Sequence, residues 1–168
     1  MSTTSSTPGT HTGTPDSADG ELTALRAALR AEHAAVYGYG VVGGLIERAR
    51  RQEAQSAYDA HRARRDELTR AVRDLGGTPD AAAAGYALPF RVPDSAAAVR
   101  LAAELEARLA GVYSDLVRAS TGTRRGFAAG ALREAAVRAV RWSGESVTFP
   151  GLAERAATAP TASATSRT

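Results

Sequence analysis

The chain contains no cysteine, no lysine, one methionine and one tryptophan, and only 5% of its 168 residues are aromatic. The absence of cysteine excludes disulfides, thiol catalysis and thiolate metal sites. The absence of lysine leaves arginine as the whole basic complement, 21 residues against 18 acids, for a net charge of +3. Those arginines are scattered and interleaved with Asp and Glu, so the one-sided cationic face that nucleic-acid binding requires is not expected. Long apolar runs are missing too. The longest uncharged stretch within the helical region, Ala34 to Ile46, holds 13 residues, short of the roughly 18 that a membrane helix needs. The opening residues MSTTSSTPGTHTGT offer neither a basic start nor an apolar stretch, so no secretion signal is read and a cytoplasmic protein is expected. His11 lies in that segment and is given no role.

What is abundant is alanine, 38 residues, so the core has to be built from small side chains. Segments 1–16 and 157–168 are Ser-, Thr- and Pro-rich with little to bury, and are expected to be disordered tails. Between them, residues 17–156 form one domain with four helical stretches. The first starts near Ser17 or Asp19 and runs to about Arg48. The second runs from Arg51 to Leu75 and stops at Gly76-Gly77. The third is capped by Asp94 and reaches Ala119. The fourth follows Thr121-Gly122-Thr123 and ends near Trp142, before Gly144, and Leu152–Ala157 adds at most one further turn. No segment alternates as a strand does, so the chain is all-α.

Connector lengths choose the topology. The first and second helices, and the third and fourth, are joined by a few residues each, which makes two antiparallel hairpins. The middle connector, Gly76 to Pro93, has 18 residues. Extended at ~3.3 Å per residue it spans about 59 Å, well beyond the roughly 33 Å of a 22-residue helix. Two hairpins joined by one long crossover make a ferritin-like four-helix bundle.

A helical wheel then singles out polar groups facing inward. Glu32 lies within roughly 20° of Leu25 on the apolar stripe of the first helix, while His33 falls at its edge and is left unassigned. His61 sits at the centre of the second helix's seam, bordered by Tyr58, Arg64 and Arg65. Glu106 borders the seam of the third helix, and Glu134 with Arg138 flanks that of the fourth as an i, i+4 pair. Glu32 and His61 are equally far from the first turn, and Glu106 and Glu134 from the second. One polar group per helix is therefore expected to meet mid-bundle. A buried carboxylate is costly unless paired, protonated or metal-bound.

The stretches Ala31-Glu-His-Ala-Ala-Val-Tyr-Gly-Tyr-Gly40, Tyr58-Asp-Ala-His-Arg-Ala-Arg-Arg65, Tyr86-Ala-Leu-Pro-Phe90 and Leu132-Arg-Glu-Ala-Ala-Val-Arg138 resemble an actinobacterial ferritin-like domain family of unknown function, over residues 20 to 153. Ferritin-like di-iron proteins use a Glu from each of two helices and a Glu-x-x-His from each of the others. Set against that pattern, Glu32 and Glu106 match, Tyr58-x-x-His61 lacks the carboxylate, and Glu134-x-x-Val137 lacks the imidazole. Two readings follow. In the preferred one the centre is degenerate and metal-free, with Tyr58, Arg64 and Arg138 compensating the buried charges. In the alternative, Glu32, His61, Glu106 and Glu134 hold Fe or Mn. The non-catalytic reading leaves a structural or interaction module, with a homodimer through an Ala-rich face as the expected partner. A third, small-ligand reading places an anion against Arg64 or Arg138. Gly38-Tyr-Gly-Val-Val-Gly43 spells a dinucleotide fingerprint but lies inside a helical pattern with no preceding strand, so its glycines are assigned to close helix approach or to loosening the helix end.

Overall fold

The structure, a computed structural model, describes residues 15–144. They form four helices, α1 Pro15–Leu45, α2 Arg51–Asp74, α3 Ser95–Ala119 and α4 Gly122–Ser143, with a short 3₁₀ turn at Arg48–Arg50 between the first two. No strand occurs among the described residues. Helix α1 begins ahead of the expected Ser17 cap. It also stops short of Arg48, because the chain tightens there into the 3₁₀ turn. Most of the N-terminal tail with His11, the C-terminal tail and the turn expected at 152–157 lie outside the described residues.

Local chemistry fixes the helix ends. The Asp94 carboxylate accepts from the Ala97 N–H at 2.8 Å, an N-cap that starts α3. At the end of α2, the Gly77 N–H donates to the Val72 carbonyl at 2.9 Å and the Gly76 N–H to that of Arg73 at 2.8 Å. This is a Schellman closure, and it places Gly76 at φ 75°, where a Cβ is disfavoured. Gly76→Ala is expected to lower stability by about 1–2 kcal/mol through that left-handed strain. The check is a denaturation midpoint, with Gly76→Asn expected to lose less.

Helix α1 packs on α2 and α3, and α3 packs on α4. Helices α2 and α4 meet through side chains, the Arg64 guanidinium reaching Glu134 at 2.7 Å. The crossover runs the whole length of α1. It starts where Gly77 meets Leu22, then passes Arg30, whose guanidinium pairs with Asp80 at 2.7 Å. His33 Nε2 meets the Asp80 carbonyl at 3.1 Å, so His33 faces the strap and not the core. Tyr37 lies against Tyr86, and the Glu47 N–H donates to Ser95 Oγ at the far end. Leu88, Phe90 and Val92 tuck against the core below.

Two apolar clusters fill the bundle. One contains Leu25, Leu29, Leu68, Val72, Leu109 and Leu116, and the other Tyr39, Val42, Ile46, Leu101 and Trp142. Of the glycines in α1, only Gly38 is explained by close packing. A Cβ there would fall 2.6 Å from Leu105 Cδ1, whereas Gly40, Gly43 and Gly44 have no neighbour within 4 Å of that position. The whole Gly38–Gly43 motif is helical, as the missing strand required.

Candidate functional site

Between the two clusters lies a fully buried polar layer. Glu32, His61 and Glu106 are each 0% exposed. The imidazole sits between the carboxylates, its Nδ1 2.8 Å from Glu32 Oε2 and its Nε2 3.1 Å from Glu106 Oε1. A carboxylate oxygen at each nitrogen favours the doubly protonated, cationic ring. Burial opposes that charge, but the hydrogen bonds and charges of Glu106 and Glu32 outweigh it and lift His61 to about 9.

Two tyrosines complete the layer. Tyr39 OH donates to Glu106 Oε1 at 2.6 Å, and Tyr113 OH donates to Glu32 Oε1 at 2.5 Å. The geometry is an exchange. Each Glu is followed seven residues later by a Tyr on its own helix, and each Tyr bonds the Glu of the other helix. This is possible because α1 and α3 run antiparallel. Burial, together with the neighbouring Glu106 and Glu32 charges, pushes both phenols above their ordinary range, so they stay neutral donors. Trp142 Nε1 donates to Tyr39 OH at 2.9 Å, and the Tyr39 ring stacks on His61 with centroids 5.1 Å apart. The helical wheel singles out neither Tyr39 nor Tyr113 as a polar member of this layer. The available signal was that a buried phenol requires a hydrogen-bond partner.

Glu134 does not join this layer. Its side chain is 45% exposed and is held on the flank by Arg64 at 2.7 Å and Arg138 at 3.4 Å. The expectation that four helices each contribute one inward group is therefore corrected to three. Arg64 and Arg138 draw the fourth outward across the gap between α2 and α4. The Arg64 hydrogen bond outweighs partial burial and holds the Glu134 carboxyl below its usual range. Arg64 also lies over the Tyr113 ring, 5.8 Å from its centroid. Tyr58 is corrected as well. It is half-buried, its ring faces Arg62, and it lines a cavity beside the layer instead of bonding within it. A further pair was not anticipated from the sequence: Arg124 Nε and a terminal nitrogen grip both oxygens of Glu21 at 2.7 and 2.9 Å, tying the starts of α1 and α4 together.

Residues 24–154 match a family described as "Domain of unknown function (DUF4439)". The chain belongs to this family. It is similar to a conserved hypothetical protein, rv2844, from Mycobacterium tuberculosis, whose crystal structure superposes with a TM-score of 0.73 at 38% identity, covering 79% of this chain and 98% of that one. It also superposes on a crystal structure of ferritin-like, diiron-carboxylate proteins from Bacillus anthracis, with a TM-score of 0.55 at 13% identity over 78% of this chain and 93% of that one. The second likeness is one of fold, and it establishes the ferritin-like bundle. No curated protein matches.

A ferritin-like fold raises the question of a di-iron centre, and these residues do not fit one. Both His61 nitrogens are engaged by carboxylates. Val137, where a second imidazole would belong, is 44% exposed, and Glu134 is tied to two guanidiniums. Among the described residues, no group of three or more His, Cys, Asp or Glu side chains is arranged to hold a metal ion. No described helix is long and apolar enough to cross a membrane.

Proposed function

We propose that this DUF4439 protein is a non-catalytic ferritin-like bundle, a structural or interaction module whose ancestral metal centre is replaced by a charge-compensated polar layer. The observation that carries this reading is the His61 ring held between Glu32 and Glu106 through both nitrogens. A carboxylate–histidine metal site needs carboxylates converging on a common point and an imidazole lone pair free to face it. Here the carboxylates converge on the imidazole itself. The charges also close: Glu32, Glu106 and Glu134 are matched by His61, Arg64 and Arg138. In a di-iron protein that balance comes from the ions. Here arginine and imidazolium supply it, which removes the electrostatic demand for a metal.

The test is elemental analysis of protein produced with added iron and manganese. The expected result is far less than one ion per chain, and a melting temperature unmoved by chelator. Near-stoichiometric metal that disappears in Glu32→Ala would favour the iron- or manganese-binding reading instead.

A further inference from the structure

One residue of the layer, Tyr39, also lines a cavity. The cavity, of about 290 Å³, opens between α1 and α2. Its α1 wall is Gly40 and Gly43, one helical turn apart, and its α2 wall is Ala54 and Tyr58. Arg51 and Gln55 stand at the mouth. We propose that this cavity is a binding site for a small aromatic carboxylate, a use independent of any metal and separate from the structural role above.

Three observations point the same way. The first is the glycine wall. Glycine weakens a helix interior relative to alanine. At Gly40 and Gly43 neither a positive φ nor a packed neighbour requires it, since nothing lies within 4 Å of a Cβ built at either position. What the two missing side chains do is keep the cavity open and expose flat backbone, against which a ring can lie. The second is charge. No Asp or Glu lines the cavity, and Arg51 has no ion-pair or hydrogen-bond partner for its guanidinium among the described residues, so the mouth carries one unspent cation suited to a carboxylate's two oxygens. The third is the lining. Tyr58, half-buried, offers a hydroxyl with no partner among the described residues, and Tyr39 also lines the cavity. The volume lies at the small end of the range for ligand cavities, which limits the occupant to one ring and its acid group.

The single Trp is a built-in reporter, because Trp142 Nε1 bonds the Tyr39 hydroxyl. Titration of the full chain with benzoate, read by Trp142 fluorescence, is expected to saturate with a Kd on the order of 1 mM, as befits so small a ligand. Benzamide, of the same shape without the charge, is expected to bind at least about tenfold more weakly, a difference of about 1.4 kcal/mol. Arg51→Gln, an exposed change, is expected to remove that preference. Gly43→Val fills the cavity without a clash and is expected to abolish saturation while the protein stays folded by circular dichroism. No saturable signal with benzoate, or a benzoate affinity unchanged in both variants, would overturn the proposal.

Discussion

His61→Ala is expected to lower the stability of the bundle by about 3–5 kcal/mol, because it leaves two carboxylates facing each other in the interior with their shared cation removed. For a domain of this size, that corresponds to a fall in melting temperature of roughly 10–20 °C. The loss should be the same with and without chelator, since nothing in the layer depends on an ion. The contrasting variant is the triple substitution Glu32→Leu, His61→Leu and Glu106→Leu. Replacing a complete buried ionic cluster by apolar residues of similar volume is often neutral or stabilising. Here Tyr39 and Tyr113 would then lose their acceptors, so a modest net loss is expected, smaller than that of His61→Ala alone. Thermal melts of the two variants decide the matter. A single mutant as stable as the parent would show that His61 does not neutralise this layer.

Stability is also expected to fall on the alkaline side. His61 is raised from its ordinary 6.5 to about 9 in the folded chain. A raised folded value means that the contribution is complete below about 6.5 and is lost as pH climbs through about 9, a change on the order of 3 kcal/mol. The groups facing the ring are Glu32 on α1 and Glu106 on α3, with the neutral phenols of Tyr39 and Tyr113 behind them. The phenols are pushed upward, so they do not release protons in this window. Urea midpoints measured between about pH 6 and 10 should decline across it, and the decline should shrink in Glu32→Gln, where one of the two charges that lift His61 is gone. A flat profile would contradict the doubly bonded imidazolium.

Most of the fold was legible because helical periodicity reports direction. Glu32, His61 and Glu106 fall on apolar seams, and all three are buried side by side. The length of the middle connector likewise chose the crossover. Two things escaped. The wheel reports direction and not height, so it could not show that Tyr39 reaches Glu106 or that Tyr113 reaches Glu32. That pairing depends on the antiparallel register of α1 against α3, which only the assembled bundle fixes. Glu134 was misplaced for a different reason. Alanine, glycine and arginine are spread around α4, so its stripe is faint, and the pull of Arg64 from a neighbouring helix decides which way the carboxylate turns. The Glu21–Arg124 pair joins residues 103 positions apart at two helix starts, where no local pattern marks it.

The clasp between α2 and α4 has a consequence of its own. Much of the bundle is shut by apolar side chains, which part only when helices separate. Along this one flank it is shut by Glu134 reaching to Arg64 and Arg138, and a guanidinium nitrogen on each arginine lies buried without a partner. Opening that flank requires two largely buried guanidiniums to part from one carboxylate that is itself 45% exposed. An opening of that flank would expose the ionic layer without separating the helices, a local event distinct from unfolding of the chain.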